Sequence, residues 1–150
     1  MQGSFVEWTV RSVLGQDYPN IEYIVMDGGS TDQTREVLRP YESQLSHYVS
    51  QKDKGQADAI ARGLERSTGD IMAYLNSDDL LAPGAVRRVV EYFDKHPDVD
   101  AIYSHRVFID EQNNMTGYWI LPPHNDRFIE RCALIPQETC FWRRSLWERA

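Results

Sequence analysis

The sequence predicts an α/β fold with a mainly parallel sheet flanked by helices, and three observations carry that expectation. Segments of helical apolar spacing alternate with short, largely apolar strand-like runs through the first hundred residues. The links between them are short and rich in Gly, Pro, Asn and Asp, the pattern of strand, helix, strand units stacked on one sheet. Two of the strand-like runs end in aspartate, the position where ligands collect in open α/β sheets.

Val6, Val10, Val13 and Leu14 recur at helical spacing, so the first element is an amphipathic helix beginning near residue 4. The cluster Asp17-Tyr18-Pro19-Asn20 turns the chain into a strand over 21–26, which Gly28-Gly29 breaks. Ser30, Thr31 and Asp32 offer caps for a helix carrying Val37 and Leu38, which Pro40 interrupts or restarts, and a short extended piece follows over 47–51. Ala57, Ile60, Ala61 and Leu64 mark a third helix, with Gly69 as its left-handed terminator. A strand is expected over 71–75, then a helix opened by Pro83 with Val86, Val89, Val90 and Phe93 on its buried face. After residue 99 the grammar changes. An antiparallel excursion is expected: a strand over 101–109, a polar turn over 110–117 and a returning strand over 118–121. A short helix over 126–132, a strand near 139–142 and a helix from Ser145 complete the chain.

One hundred and fifty residues, 41% hydrophobic and 26% charged, describe a single globular unit. A net charge of −7 without a Lys/Arg cluster speaks against nucleic acid as a partner. Cys132 and Cys140 have no metal-type spacing and do not make a disulfide framework, so a reducing cytosol is the default. No apolar run reaches the roughly 20 residues that span a bilayer. The expected setting is the cytoplasm, or the cytosolic membrane face in a longer protein.

Asp27 ends one strand before the Gly28-Gly29 turn, and Asp78 and Asp79 follow Asn76-Ser77 at the end of another. A glycine turn with a polar cap would explain Asp27, and a cap for the helix after Pro83 would explain Asp79. Two acid-tipped strand ends facing one crevice suit a harder task. Carboxylates without His or Cys are oxygen ligands for Mg²⁺ or Mn²⁺, which commonly bridge a protein to a diphosphate. The loop carrying Asp53, Lys54 and Gly55 feeds the third helix, where free amides and lysines suit a polar or anionic ligand, although a solvated charged loop would look the same. His105 and His124 have no partner at metal-ligand spacing, so a structural or surface role is expected for each.

Five segments in this order, Arg11 to Asn20, Asp27-Gly28-Gly29-Ser30-Thr31-Asp32, Asp53-Lys54-Gly55, Thr68-Gly69-Asp70 and Leu75-Asn76-Ser77-Asp78-Asp79, resemble glycosyltransferase family 2. The resemblance implies a GT-A fold that binds a nucleoside-diphosphate sugar, UDP-linked, with residues 1–98 as the nucleotide-binding part and 99–150 as the start of the acceptor part. It implies nucleotide contacts at Asp27, Gly28, Asp53, Lys54, Gly55, Asn76, Ser77 and Asp78, and a divalent metal, Mg or Mn, on Asp78 and Asp79. The family's aspartate-any-aspartate motif begins here with Asn76, one carboxylate fewer, for which Asp79 compensates. Gln137 and Trp142 fall on the acceptor side, where the acceptor is a carbohydrate or a lipid-linked sugar. The family's opening strand, with a Pro-Thr-Tyr-like contact, has no counterpart before Ser4, and its catalytic Glu-Asp pair falls beyond Ala150. On this reading the chain is one domain truncated at both ends, inactive by itself and prone to self-association, with Glu138 a weak candidate for the base. The implied reaction is inverting sugar transfer. Two rivals are a non-catalytic nucleotide-sugar-binding module and a nucleotidyltransferase, the latter disfavoured by the absence of a Gly- and Arg/Lys-rich phosphate loop near the N-terminus.

Overall fold

A computed structural model describes residues 3–131 and 135–150 of the chain. Helix α1 (Val6–Leu14) buries Val6, Val10 and Val13 on one stripe, as its apolar spacing dictates. Strand β1 (Ile24–Asp27) follows, then α2 (Thr34–Leu38), which continues as a 3₁₀ turn (Arg39–Gln44) with Pro40 in its first turn. Strand β2 (His47–Ser50) lies parallel to β1, with Ile24 opposite His47 and Asp27 opposite Ser50. The core here is Val6, Val10 and Leu38, with Leu14, Tyr23, Val25, Val37, Tyr41 and Tyr48 packed around it.

Helix α3 (Gln56–Arg66), strand β3 (Ile71–Met72) and helix α4 (Ala85–Lys95) come next. Then follow β4 (Ala101–Ile102), the hairpin β5 (Arg106–Ile109) and β6 (Met115–Trp119), a short α5 (Asp126–Ile129), a 3₁₀ turn (Gln137–Thr139), β7 (Phe141–Arg143) and α6 (Arg144–Arg149). Strand β7 lies between β3 and β4 and is antiparallel to both, so β3 and β4 run parallel to each other. Among the described residues no ladder joins this three-stranded sheet to the β1–β2 pair.

Several boundaries differ from the sequence expectation, each for a visible reason. Gly69 does not end α3: the helix stops at Arg66, and Ser67 leaves it in extended backbone. Pro83 lies ahead of α4, whose N-cap is Gly84 at φ 74°, a left-handed position suited to glycine. The strand expected over 101–109 breaks in two because the Thr139 hydroxyl takes over both backbone groups of Ser104, accepting from its N–H and donating to its carbonyl at 3.1 Å each. The strand expected over 71–75 stays paired only at Ile71 and Met72, and the Tyr74 carbonyl instead accepts from the Gln137 amide at 2.6 Å. The returning strand starts earlier than expected, at Met115, so the polar turn is shorter. Of the helix expected over 126–132, Asp126–Ile129 is helical, and Cys132 lies outside the described residues.

Polar side chains of the recurring motifs act as clamps. Ser12 Oγ accepts from Leu81 N, and Gln16 accepts from Val86 N while donating to the Ala82 carbonyl. Asp17 binds Arg87 at 2.9 Å. These contacts tie the end of α1 to the start of α4. Glu22 accepts from the backbone N–H groups of Thr68 and Gly69 and from the Thr68 hydroxyl. On the other side of that turn, Arg144 donates to the Gly69 carbonyl and Ser67 Oγ. Arg143 closes the far end of α4 by donating to the carbonyls of Val99, Phe93 and His96.

Candidate nucleotide-sugar site

Asp27 closes β1 and is buried, its carboxylate held by the turn it opens, by β2 and by α2. One oxygen accepts from Ser30 N at 2.9 Å; the other accepts from the Ser50 hydroxyl and faces Arg35 at 3.7 Å. Burial pushes this carboxyl up, but the donors Ser30 and Ser50 and the Arg35 charge outweigh it, holding the group below the usual aspartate value.

Gly28 and Gly29 let the loop after β2 come close. A Cβ on Gly28 would sit 2.6 Å from an Asp53 carboxylate oxygen, and one on Gly29 would sit 3.1 Å from the Lys52 backbone nitrogen. Gly29 also has φ 85°. The second loop is set by Asp53, which accepts from Gly55 N at 2.8 Å, and by Gly55 at φ 113°, from which α3 starts. Lys54 donates its backbone N–H to Asp58, and its side chain is exposed.

The third loop carries the acids. Asp79 N donates to the Asn76 carbonyl at 3.2 Å, closing a turn over Ser77 and Asp78. Asp78 is exposed and Asp79 is half-buried. Burial pushes the Asp79 carboxyl up; Asn76 donates to it at 3.1 Å, which acts against burial, while the negative charges of Glu138 and Asp78 add to the rise and Arg106 reduces it. The net direction is upward, chiefly through burial.

The Asn76 side chain is the junction of the three segments. Its Oδ1 accepts from Gln56 at 2.6 Å, and its Nδ2 donates to Asp79 and, at 2.7 Å, to Gln137 Oε1. The expected residues Asp27, Gly28, Asp53, Lys54, Gly55, Asn76, Ser77, Asp78 and Asp79 thus lie on three neighbouring loops, with Gln137 reaching them from the 3₁₀ turn before β7. Trp142 sits in β7 and meets Tyr74 edge-on at 6.5 Å, a sheet-packing position. Glu138 pairs with Arg106 at 3.2 Å, and that guanidinium lies over Trp119 and Phe108, 4.5 and 5.0 Å from their ring centres.

Arg106 and Gln56 were missed from sequence. The signal for Arg106 is a lone charge opening the apolar run Val107-Phe108-Ile109; for Gln56 there is none beyond its place after Gly55. His105 accepts from Leu121 N, and His124 bridges Tyr103 and Asp126. Burial pushes the Cys140 thiol up, which disfavours the reactive thiolate.

Among the described residues no group of three or more His, Cys, Asp or Glu side chains is placed to hold a metal by itself. Asp78 and Asp79 are the two carboxylates of this loop, and Mg²⁺ or Mn²⁺ is commonly bound through one or two carboxylates with water and phosphate completing the shell.

Helices around a short parallel strand pair and a mixed three-stranded sheet, with three neighbouring loops beyond the strands, form a GT-A fold. The sequence pattern described as "Glycosyl transferase family 2" matches residues 2–145, and the chain belongs to that family. A relative named "Uncharacterized glycosyltransferase alr2836", from Nostoc sp., is 32% identical over 109 residues, which are 71% of this chain and 34% of that protein. Among solved structures, S. aureus TarS 1-349 in complex with UDP superposes with a TM-score of 0.74 at 19% identity, over 99% of this chain and 45% of that one. The mannosyltransferase PcManGT from Pyrobaculum calidifontis, in complex with GDP-Man and Mn²⁺, gives 0.70 at 23% identity, over 98% and 43%. The chain therefore spans less than half the length of these relatives. Its homologues mark it as glycosyltransferase sequence.

Proposed function

We propose that this chain forms the donor-binding part of an inverting glycosyltransferase that takes a UDP-linked sugar together with Mg²⁺ or Mn²⁺. The observation that carries the reading is the joining of the loops at Asp27, Asp53 and Asn76 by the close approach of Asp53 to Gly28 and the hydrogen bond of Gln56 to Asn76. The relatives crystallised with UDP, or with GDP-Man and Mn²⁺, support it by their fold.

In this reading Asp27, Gly28 and the Asp53-Lys54-Gly55 loop border the nucleoside, while Asn76, Ser77 and Asp78 border ribose and diphosphate. Asp78 and Asp79 would hold the divalent ion, which when bound offsets charge on the leaving diphosphate. The acceptor hydroxyl, on a carbohydrate or lipid-linked sugar, enters from the side of Gln137 and Trp142. Its oxygen forms a bond to the anomeric carbon as the bond from that carbon to the diphosphate oxygen breaks, and its proton passes to a carboxylate base. Glu138, already paired with Arg106, is assigned to shaping this side rather than to that base. The proposed setting is the cytoplasm, or the cytosolic membrane face in a longer protein, the default for a chain without a disulfide framework. Among the described residues no helix is long and apolar enough to cross a membrane.

The test is calorimetric titration of nucleotides and nucleotide sugars with and without Mn²⁺. Expected is Mn²⁺-dependent binding of UDP in preference to ADP; absence of nucleotide binding under both conditions would overturn the reading.

A further inference from the structure

We propose that Gln56 is a donor-specificity residue that contacts a hydroxyl of the transferred sugar, and that Asn76 and Gln137 set the polarity of its amide. The proposal rests on the nucleotide-sugar reading above and adds a contact to it. It follows from the direction of a hydrogen-bond chain whose two inner ends permit only one orientation.

The Tyr74 carbonyl can only accept, so the Gln137 amide nitrogen must face it, at 2.6 Å. Gln137 Oε1 then faces Asn76, whose Nδ2 donates to it at 2.7 Å. Asp79 reinforces that choice, since its ionised carboxylate also accepts from Asn76 Nδ2. Asn76 Oδ1 is left pointing at Gln56, which answers with its Nε2 at 2.6 Å. Each amide along the chain is thereby oriented by its predecessor. At the outer end, the Gln56 carbonyl oxygen and the second hydrogen of its nitrogen have no partner among the described residues, and the side chain is exposed.

Gln56 is the first residue of α3, directly after the Asp53-Lys54-Gly55 loop, and it touches the strand-end loop of Asp78 and Asp79. It therefore stands between the proposed nucleoside and diphosphate positions and the acceptor side. A neutral amide with one fixed acceptor and one fixed donor suits a hydroxyl, which both gives and takes a hydrogen bond, and is a poor match for a phosphate, which only accepts. The sugar beyond the diphosphate is the hydroxyl-bearing part of the donor.

The experiment compares UDP with a UDP-sugar, the tightest binder among UDP-glucose, UDP-galactose, UDP-N-acetylglucosamine and UDP-glucuronate, on the whole chain and its variants. Gln56→Met is expected to weaken UDP-sugar binding about three- to tenfold, the factor that follows from one neutral hydrogen bond, and to leave UDP unchanged. Equal weakening of UDP and UDP-sugar by Gln56→Met, or no weakening of either, would each overturn the assignment while leaving the donor site standing. Failure of the unsubstituted chain to bind any of these nucleotides overturns the donor-site reading and the assignment together.

Discussion

Asp78 is the exposed carboxylate of its loop, while Asp79 already accepts from Asn76, so removing Asp78 takes away the ligand freest to meet a cation. Asp78→Ala is expected to abolish Mn²⁺-dependent UDP binding with little effect on thermal unfolding, because an exposed side chain carries little packing. Retention of the Mn²⁺ dependence in a calorimetric titration would remove Asp78 from the site. Gly29 makes a different demand. Its φ of 85° and the 3.1 Å approach of the Lys52 nitrogen mean that a methyl group meets both backbone strain and a neighbour that cannot swing aside. Gly29→Ala is expected to destabilise the fold by about 1–2 kcal/mol. Urea unfolding measures this, and an unchanged midpoint would show that the loop can open at no cost.

At the scale of elements, short helices and strands hold their places through side chains that satisfy backbone groups of distant segments. Arg143 donates to three carbonyls at and beyond the end of α4 and covers the Phe93 ring at 4.7 Å. Arg143→Ala should cost about 2–4 kcal/mol by stranding those carbonyls, read as a lower unfolding midpoint; Arg143→Lys, a point charge without the fork, should recover only part. Glu22 latches the turn before β3. Burial raises its carboxyl, but the N–H groups of Thr68 and Gly69, the Thr68 hydroxyl and the His47 charge lower it further, so the net direction is below the ordinary value of 4.5. A group lowered in the folded state binds its proton less readily there than in the unfolded chain. Its stabilisation is therefore present above the ordinary glutamate value and disappears as pH falls through the lowered folded value. Glu22→Gln should unfold more easily at neutral pH and show a shallower loss of stability between about pH 5 and pH 3 than the parent. Parallel pH curves for the two proteins would contradict the latch.

Over the whole molecule, the β1–β2 pair and the β3–β7–β4 sheet stand unjoined, and β1 has a partner along one edge only among the described residues. An unpaired strand edge is a template for another chain. The 150-residue chain is expected to associate with rising concentration, seen as a shift in size-exclusion elution, and Met26→Pro, which removes a backbone donor from β1, should shift it back if that edge is the contact. Concentration-independent elution of the unsubstituted chain would exclude the edge as a sticky surface.

Much of this architecture was legible before any coordinates. The stripe Val6, Val10, Val13 has a period that a helix buries on one side, and the mostly apolar run Ile21 to Met26 reads as a short strand of a protected sheet, paired in the structure over Ile24–Asp27. The acids at strand ends and the Gly28-Gly29 break were equally readable, since turn chemistry and hard oxygen ligands are local properties of the chain. What sequence could not settle was which distant groups would take up a given backbone atom. Thr139 breaks the strand at Ser104 from 35 residues away, Gln137 reaches the Tyr74 carbonyl from 63, and Arg106 meets Glu138 across 32. Periodicity, capping and turn preferences act over a few neighbouring residues, so the sequence by itself determined the elements, their order and the acidic strand ends. The partner of each buried polar atom depends on which segments the fold brings within about 3 Å, and only the tertiary structure decided that Asn76 joins Gln56, Asp79 and Gln137.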